Sequence, residues 1–241
     1  MTVRKAGRII LFLILLTGLH GSGYAQSLNY AEIFGSNWQK ALTFIEDNNI
    51  WIKPALSRYD IPYDEAVAVI FPELVRYSAL RDKMEITLLK TLYRNLGDDY
   101  ADFSIGVFQI KPSFAEDIQN RVFAGTDREL KDLFRKKSSF SDKRSYRASV
   151  IADLESPETE INYLIAFYKI CEKRFKKDWP DKTLKVKFLA TAYNAGFRKS
   201  AREIEEMSDR KFFNTKLFKT ENYSYADVSL FWYSQYLHNN R

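Results

Sequence analysis

Glu73 follows an unbroken apolar run, Val67-Ala-Val-Ile-Phe71, with only Pro72 between. A carboxyl at the end of such a helix loses hydration, and desolvation raises its pKa toward the range where it donates a proton near neutral pH. Protonating the leaving oxygen of a glycosidic bond needs that kind of acid. Glu73 is also placed to be an ordinary helix-terminal glutamate paired with Arg76 or Arg81. A second segment, Ser104-Ile-Gly-Val-Phe-Gln-Ile-Lys-Pro112, sets Gly106 between bulky neighbours, so a backbone can approach closely there. Gln109 in that segment can both donate to and accept from a sugar acetamido group, or be a plain loop glutamine. A third segment is Ala192-Tyr-Asn-Ala-Gly196. Tyr193 offers a ring face and a hydroxyl, Asn194 an amide, and Gly196 a helix stop; Asn-Ala-Gly is equally a simple C-cap.

Other chemistries are poorly supplied. Cys171 is the single cysteine and sits in an apolar helical pattern, which reads as a buried structural thiol. Of the two histidines, His20 lies in the leader and His238 four positions from the end of the sequence. That argues against a Cys-His or Ser-His engine and against a histidine-rich metal site. No cofactor is expected.

In content and order the three segments resemble the soluble lytic transglycosylases, whose catalytic domain is like goose-type lysozyme. That family has a catalytic glutamate closing a helix, usually followed by serine, then Gly-Leu-Met-Gln leading to a proline, then Ala-Tyr-Asn-Ala-Gly. The matching positions here are Glu73, Gly106-Val-Phe-Gln109 with Pro112, and Ala192-Tyr-Asn-Ala-Gly196. The resemblance spans roughly 60 to 240 and is clearest in these segments. It implies an all-α, lysozyme-like fold and cleavage of the MurNAc-GlcNAc β-1,4 bond of peptidoglycan. One glutamate, Glu73, would act as acid and then base, and the sugar's own 6-hydroxyl would attack to leave a 1,6-anhydromuramoyl end. Ser104, Gly106, Gln109, Tyr193 and Asn194 would hold the substrate. Tyr223 and Tyr225 fall in a late segment that often returns to the cleft in this family.

The departures are specific. Leu74 stands in place of the serine that helps orient the glutamate, and would instead desolvate Glu73. Val107 and Phe108 replace Leu and Met. The interval from Glu73 to Gly106 is long and includes Asp98-Asp-Tyr-Ala-Asp102. Asp99 or Asp102 could serve as a second carboxylate, which would allow lysozyme-type hydrolysis by inversion, or both could belong to a solvated acidic loop. A non-catalytic peptidoglycan-binding or cell-wall scaffold protein with the same fold is the rival from another class.

These residues need helices to position them, and helical spacing recurs while period-two patterns are scarce. Pro62, Asp64 and Glu65 open a helix over 63 to 71, which Pro72 should bend or end. A helix over 83 to 96 has Leu89, Leu92, Tyr93 and Leu96 on one face and stops at Gly97. Ser113 to Glu116 has capping-box spacing, and so does Ser200 to Glu203. A long helix over 158 to 175 buries Ile161, Leu164, Ile165, Tyr168, Cys171 and Phe175. Further helices are expected over 181 to 195 and 224 to 237. The polar stretch 124 to 149 reads as a surface excursion with at most short helices, and Arg135-Lys-Lys137 as a solvated face or a contact to anionic glycan.

The 241 residues are expected to divide into a signal peptide, 1 to 25, and one domain, 26 to 241. Arg4, Lys5 and Arg8 make a basic start, Ile9 to Leu16 is mostly aliphatic, and Gly23-Tyr-Ala25 suits cleavage. The alternative is a retained anchor, although the apolar run is shorter than the ~20 residues a span requires. Export to the periplasm or envelope follows from the leader. The formal charge is +6, of which the leader holds three and no acid, leaving +3. That excess is too small to argue for nucleic acid, no nucleic-acid motif is present, and no later stretch is apolar enough to span a membrane.

Overall fold

The computed structural model describes residues 28–79, 83–175, 179–214 and 221–239. The expected signal peptide lies outside them. The described chain is mostly helical, with a single two-stranded sheet. None of its helices is long and apolar enough to cross a membrane.

The first helices are α1 (Tyr30–Phe34) and α2 (Ser36–Ser57). The sequence patterns set out above include no element before residue 63. Yet Trp38, Ala41, Ile45, Ile52 and Leu56 are buried at helical spacing, which is the signal for α2. Next comes α3 (Tyr63–Ala79), which opens on Asp64 and Glu65 as expected but does not stop at Pro72. A proline inside a helix forfeits one backbone hydrogen bond and costs about 3 kcal/mol. Here the flanking residues Val69, Ile70, Phe71, Leu74 and Val75 are all buried, against α2, α9 and α11. Their packing carries the helix through, so Glu73 lies within α3 rather than at its end.

After α4 (Lys83–Leu96), the chain turns at Gly97, whose φ is 107°. Tyr93 is buried as expected, but Leu96 is exposed at the last turn. α5 (Pro112–Ala124) begins one residue before the expected cap. Pro112 takes the first helical position, so Ser113 cannot be the N-cap and the first capping box does not form. Asp102 caps instead, its Oδ1 accepting from Ser113 N at 3.1 Å, while Glu116 accepts from Tyr93 Oη at 2.7 Å.

The polar stretch holds α6 (Arg128–Asp132), a 3₁₀ turn (Lys137–Ser139) and the first half of α7 (Lys143–Leu154). The last is longer than anticipated. Asp142 starts it by accepting from Ser145 N, and Tyr146, Val150, Ile151 and Leu154 bury its inner side. α8 (Pro157–Phe175) buries its expected stripe from Ile161 to Cys171 but leaves Phe175 only partly buried, and Tyr163, Ala166 and Phe167 are buried as well, so it runs through the core rather than along its surface. α9 (Lys182–Ala195) is capped by Asp181 and ends at Gly196. α10 (Ala201–Met207) starts with the predicted capping box of Ser200 and Glu203. A short antiparallel pair, β1 (Lys211–Phe213) and β2 (Tyr223–Ser224), leads into α11 (Tyr225–Asn239). Helices α2, α9 and α11 all pack on α3, placing the segment that carries Glu73 at the centre of the molecule.

Candidate functional site

Glu73 is 4% exposed, yet it lines a cleft of about 390 Å³. One wall is α3 with Glu73 and Arg76. Another is the segment from Asp102 to Phe114. The third is the end of α9 with the turn after it, from Tyr193 to Lys199. Glu73, Ser104, Gln109, Tyr193 and Asn194, chosen from sequence, therefore share one cleft.

The middle wall is held from behind. Ile105 and Ile110 exchange two backbone hydrogen bonds of 3.0 Å, closing the loop between them. Gly106 has φ 73°, and a Cβ there would stand 2.1 Å from Leu154 O and 2.2 Å from Glu160 Oε1. Only glycine fits this approach. Glu160, fully buried on α8, accepts from Val107 N at 3.0 Å and Phe108 N at 3.1 Å, one amide per oxygen. Gln109 also has positive φ, 51°, and donates Nε2 to Gly106 O at 2.7 Å.

Tyr193 differs from its expected role. Its hydroxyl donates to Phe108 O at 2.9 Å and its ring packs edge-on against Phe114 and Phe167. It ties the loop to α9 and leaves little ring face to a ligand. Phe114, half-buried on the cleft wall, offers aromatic surface instead. Asn194 is exposed at the cleft.

Tyr223 and Tyr225 do not line the cleft. The Tyr223 ring packs against Tyr30 and Phe34, and its hydroxyl donates to Glu221 at 2.9 Å. Tyr225 is buried and donates its one hydroxyl proton to Val69 O at 2.8 Å, with its polarity opposing, weakly, the upward shift of Glu73. Leu74 is 2% exposed and lines a separate small groove with Lys40, Phe44, Tyr77, Ser78 and Val107. It does not line the cleft that Glu73 faces.

Burial pushes the Glu73 pKa from 4.5 up to about 7, opposed by the charge and hydrogen bond of Arg76 and by Tyr225. The ion pair and the upward shift pull in opposite directions, and desolvation dominates. Arg76 presents a single nitrogen, Nη1, to both oxygens at 2.9 and 3.1 Å, rather than two parallel donors. Its guanidinium also lies 4.6 Å from the centroid of the Phe213 ring. Such a contact returns only part of the hydration lost. A carboxyl divided between both protonation states near neutrality can give a proton and take one back.

The other carboxylates of the cleft are engaged. Asp102 caps Ser113 and stands 3.5 Å from Lys111. Asp117, not singled out from sequence, pairs through Oδ2 with Arg121 and Arg198, each at 3.1 Å. Asp99 is exposed and outside the cleft. Arg198 and Lys199 add cations at the rim; nothing in a lone Arg-Lys pair after a helix marks it for a site. Arg76 was legible as the i+3 neighbour of Glu73. Cys171 is buried, which pushes its thiol upward and leaves it inert. No cluster suited to a metal ion occurs among the described residues.

No family model matches the chain. No curated protein and no solved structure matches it either.

Proposed function

We propose that this protein is a peptidoglycan lytic transglycosylase with a lysozyme-like fold, exported to the periplasm or cell envelope. The reading is supported above all by one observation: a buried carboxyl, Glu73, held near neutral pKa in a cleft it shares with Ser104, Gln109 and Asn194. Glu73 protonates the oxygen bridging MurNAc to GlcNAc as the bond to the muramoyl C1 breaks. The carboxylate left behind takes the proton of the 6-hydroxyl as that oxygen closes on C1. The GlcNAc end departs with a hydroxyl, and the muramoyl end becomes the 1,6-anhydro sugar. Engagement of Asp102 and Asp117 by neighbouring donors and cations favours this route over hydrolysis, which requires a second carboxylate free to activate water. Mass spectrometry of digested sacculi tests it: anhydromuramoyl ends are expected, and reducing ends alone would mean hydrolysis.

The Glu73–Arg76 pair also favours a second reading, a glycan-binding scaffold in which the carboxylate is only structural. Binding of glycan without any release of fragments would establish that alternative.

A further inference from the structure

A proton donor must be neutral before it acts. When Glu73 carries its proton, Arg76 loses the only ion pair it makes among the described residues. Its side chain is 21% exposed, on the cleft wall, with the Phe213 ring on one side and Glu73 on another. A cation left there without an anion is costly, because partial burial removes the water that would otherwise solvate it. The other groups near Glu73 cannot replace its charge. Tyr193 and Tyr225 are neutral phenols, Asp102 is engaged by Lys111 and Ser113, and Asp117 by two arginines. The remaining charges of the cleft, Lys111, Arg198 and Lys199, are positive.

We propose that Arg76 receives a carboxylate of the substrate, and that the cleft therefore selects glycan whose muramic acid bears a free lactyl carboxylate beside the bond that is cut. This rests on the cleft being a glycan-cleaving site. The guanidinium accepts such a group in a planar, two-point fashion for which Glu73 uses only one nitrogen. As the ligand anion engages Arg76, the stabilisation that Arg76 gives to ionised Glu73 weakens, and the proton is retained on the acid. Substrate charge and acid readiness are thereby coupled. A stem peptide converts the lactyl carboxylate to an amide, so the site discriminates bare strands from peptide-bearing ones.

The test uses three glycan preparations with the wild-type protein: peptide-free strands, the same strands with lactyl groups converted to methyl amides, and peptide-bearing strands. Cleavage of the first should exceed the second by roughly tenfold or more in kcat/KM, as expected for a charge-assisted hydrogen bond. Peptide-bearing strands should behave like the amides; if they are cut as well as bare strands, a peptide carboxylate is the ligand and the lactyl assignment falls. In Arg76→Gln the ratio of bare to amidated should drop to about one, and Arg76→Lys should lie between. A ratio taken within one variant does not depend on how much of it folds. Binding to Glu73→Gln by calorimetry separates the two ideas, since there Arg76 has no anion and needs no catalysis to show its preference. Tighter binding of bare strands by this variant, with no cleavage by wild type, would leave the carboxylate seat standing while the transglycosylase reading fails. Equal binding and equal cleavage of bare and amidated strands would overturn the seat itself.

Discussion

Arg76 reaches back one turn along α3 and sets one nitrogen, Nη1, against both carboxylate oxygens of Glu73, at 2.9 and 3.1 Å. The pair is short, but it does not overcome burial of the acid, whose pKa remains at about 7.

Replacing the acid tests its role directly. Glu73→Gln keeps the size of the side chain and an oxygen for Arg76, but removes the titrating proton. Fragment release from sacculi should fall by at least ~10²-fold, with the helical circular dichroism unchanged. Near-normal release would reject Glu73 as the acid.

The shifted carboxyl also makes stability depend on pH. The unfolded group titrates near 4.5 and the folded one near 7, so between these values the folded chain holds more proton. Stability must therefore fall as pH rises through that window, by about 3 kcal/mol in all. Urea unfolding of wild type and Glu73→Gln from pH 4 to 8 should show the variant gaining on the wild type as pH rises. A constant gap would mean that Glu73 keeps an ordinary pKa.

Leu74 is buried and lines a groove other than the cleft, so Leu74→Ser should leave the Glu73 titration where it is. It should cost about 2 kcal/mol or more, since it removes buried hydrocarbon and inserts a hydroxyl. A downward move of the Glu73 pKa, followed by NMR, would show that leucine does desolvate the acid.

The wall that carries Gln109 depends on two residues behind it. Glutamine at position 160 has only one acceptor oxygen for two amides, so Glu160→Gln should lose roughly 1–3 kcal/mol. Gly106→Ala meets both a positive φ and backbone at 2.1 Å, and should lose about 3 kcal/mol or more. Faster exchange of the Val107 and Phe108 amides in Glu160→Gln is the specific sign; unchanged exchange would mean that the loop holds itself.

Local patterns determined a good deal by themselves. Helical periodicity, the cap at Ser200 and the stop at Gly196 are properties of a few neighbouring residues, and α8, α9, α10 and α11 follow them closely. The three segments, through the family they resemble, likewise pointed to Glu73, Ser104, Gln109 and Asn194, which line one cleft. Tertiary structure decided whatever depends on partners distant in the chain. Pro72 did not end α3, because burial against three other helices outweighs one missing hydrogen bond. Tyr193 became a brace because Phe108 O lies within reach of its hydroxyl, and Tyr223 fell outside the cleft because Tyr30 and Phe34 claim its ring. Nothing in the residues around Glu160 marks it as an anchor. Its carboxyl holds Val107 and Phe108 only when α8 is packed against that loop. The balance at Glu73 is of the same kind, since the pairing with Arg76 is local but the desolvation that exceeds it comes from the surrounding fold.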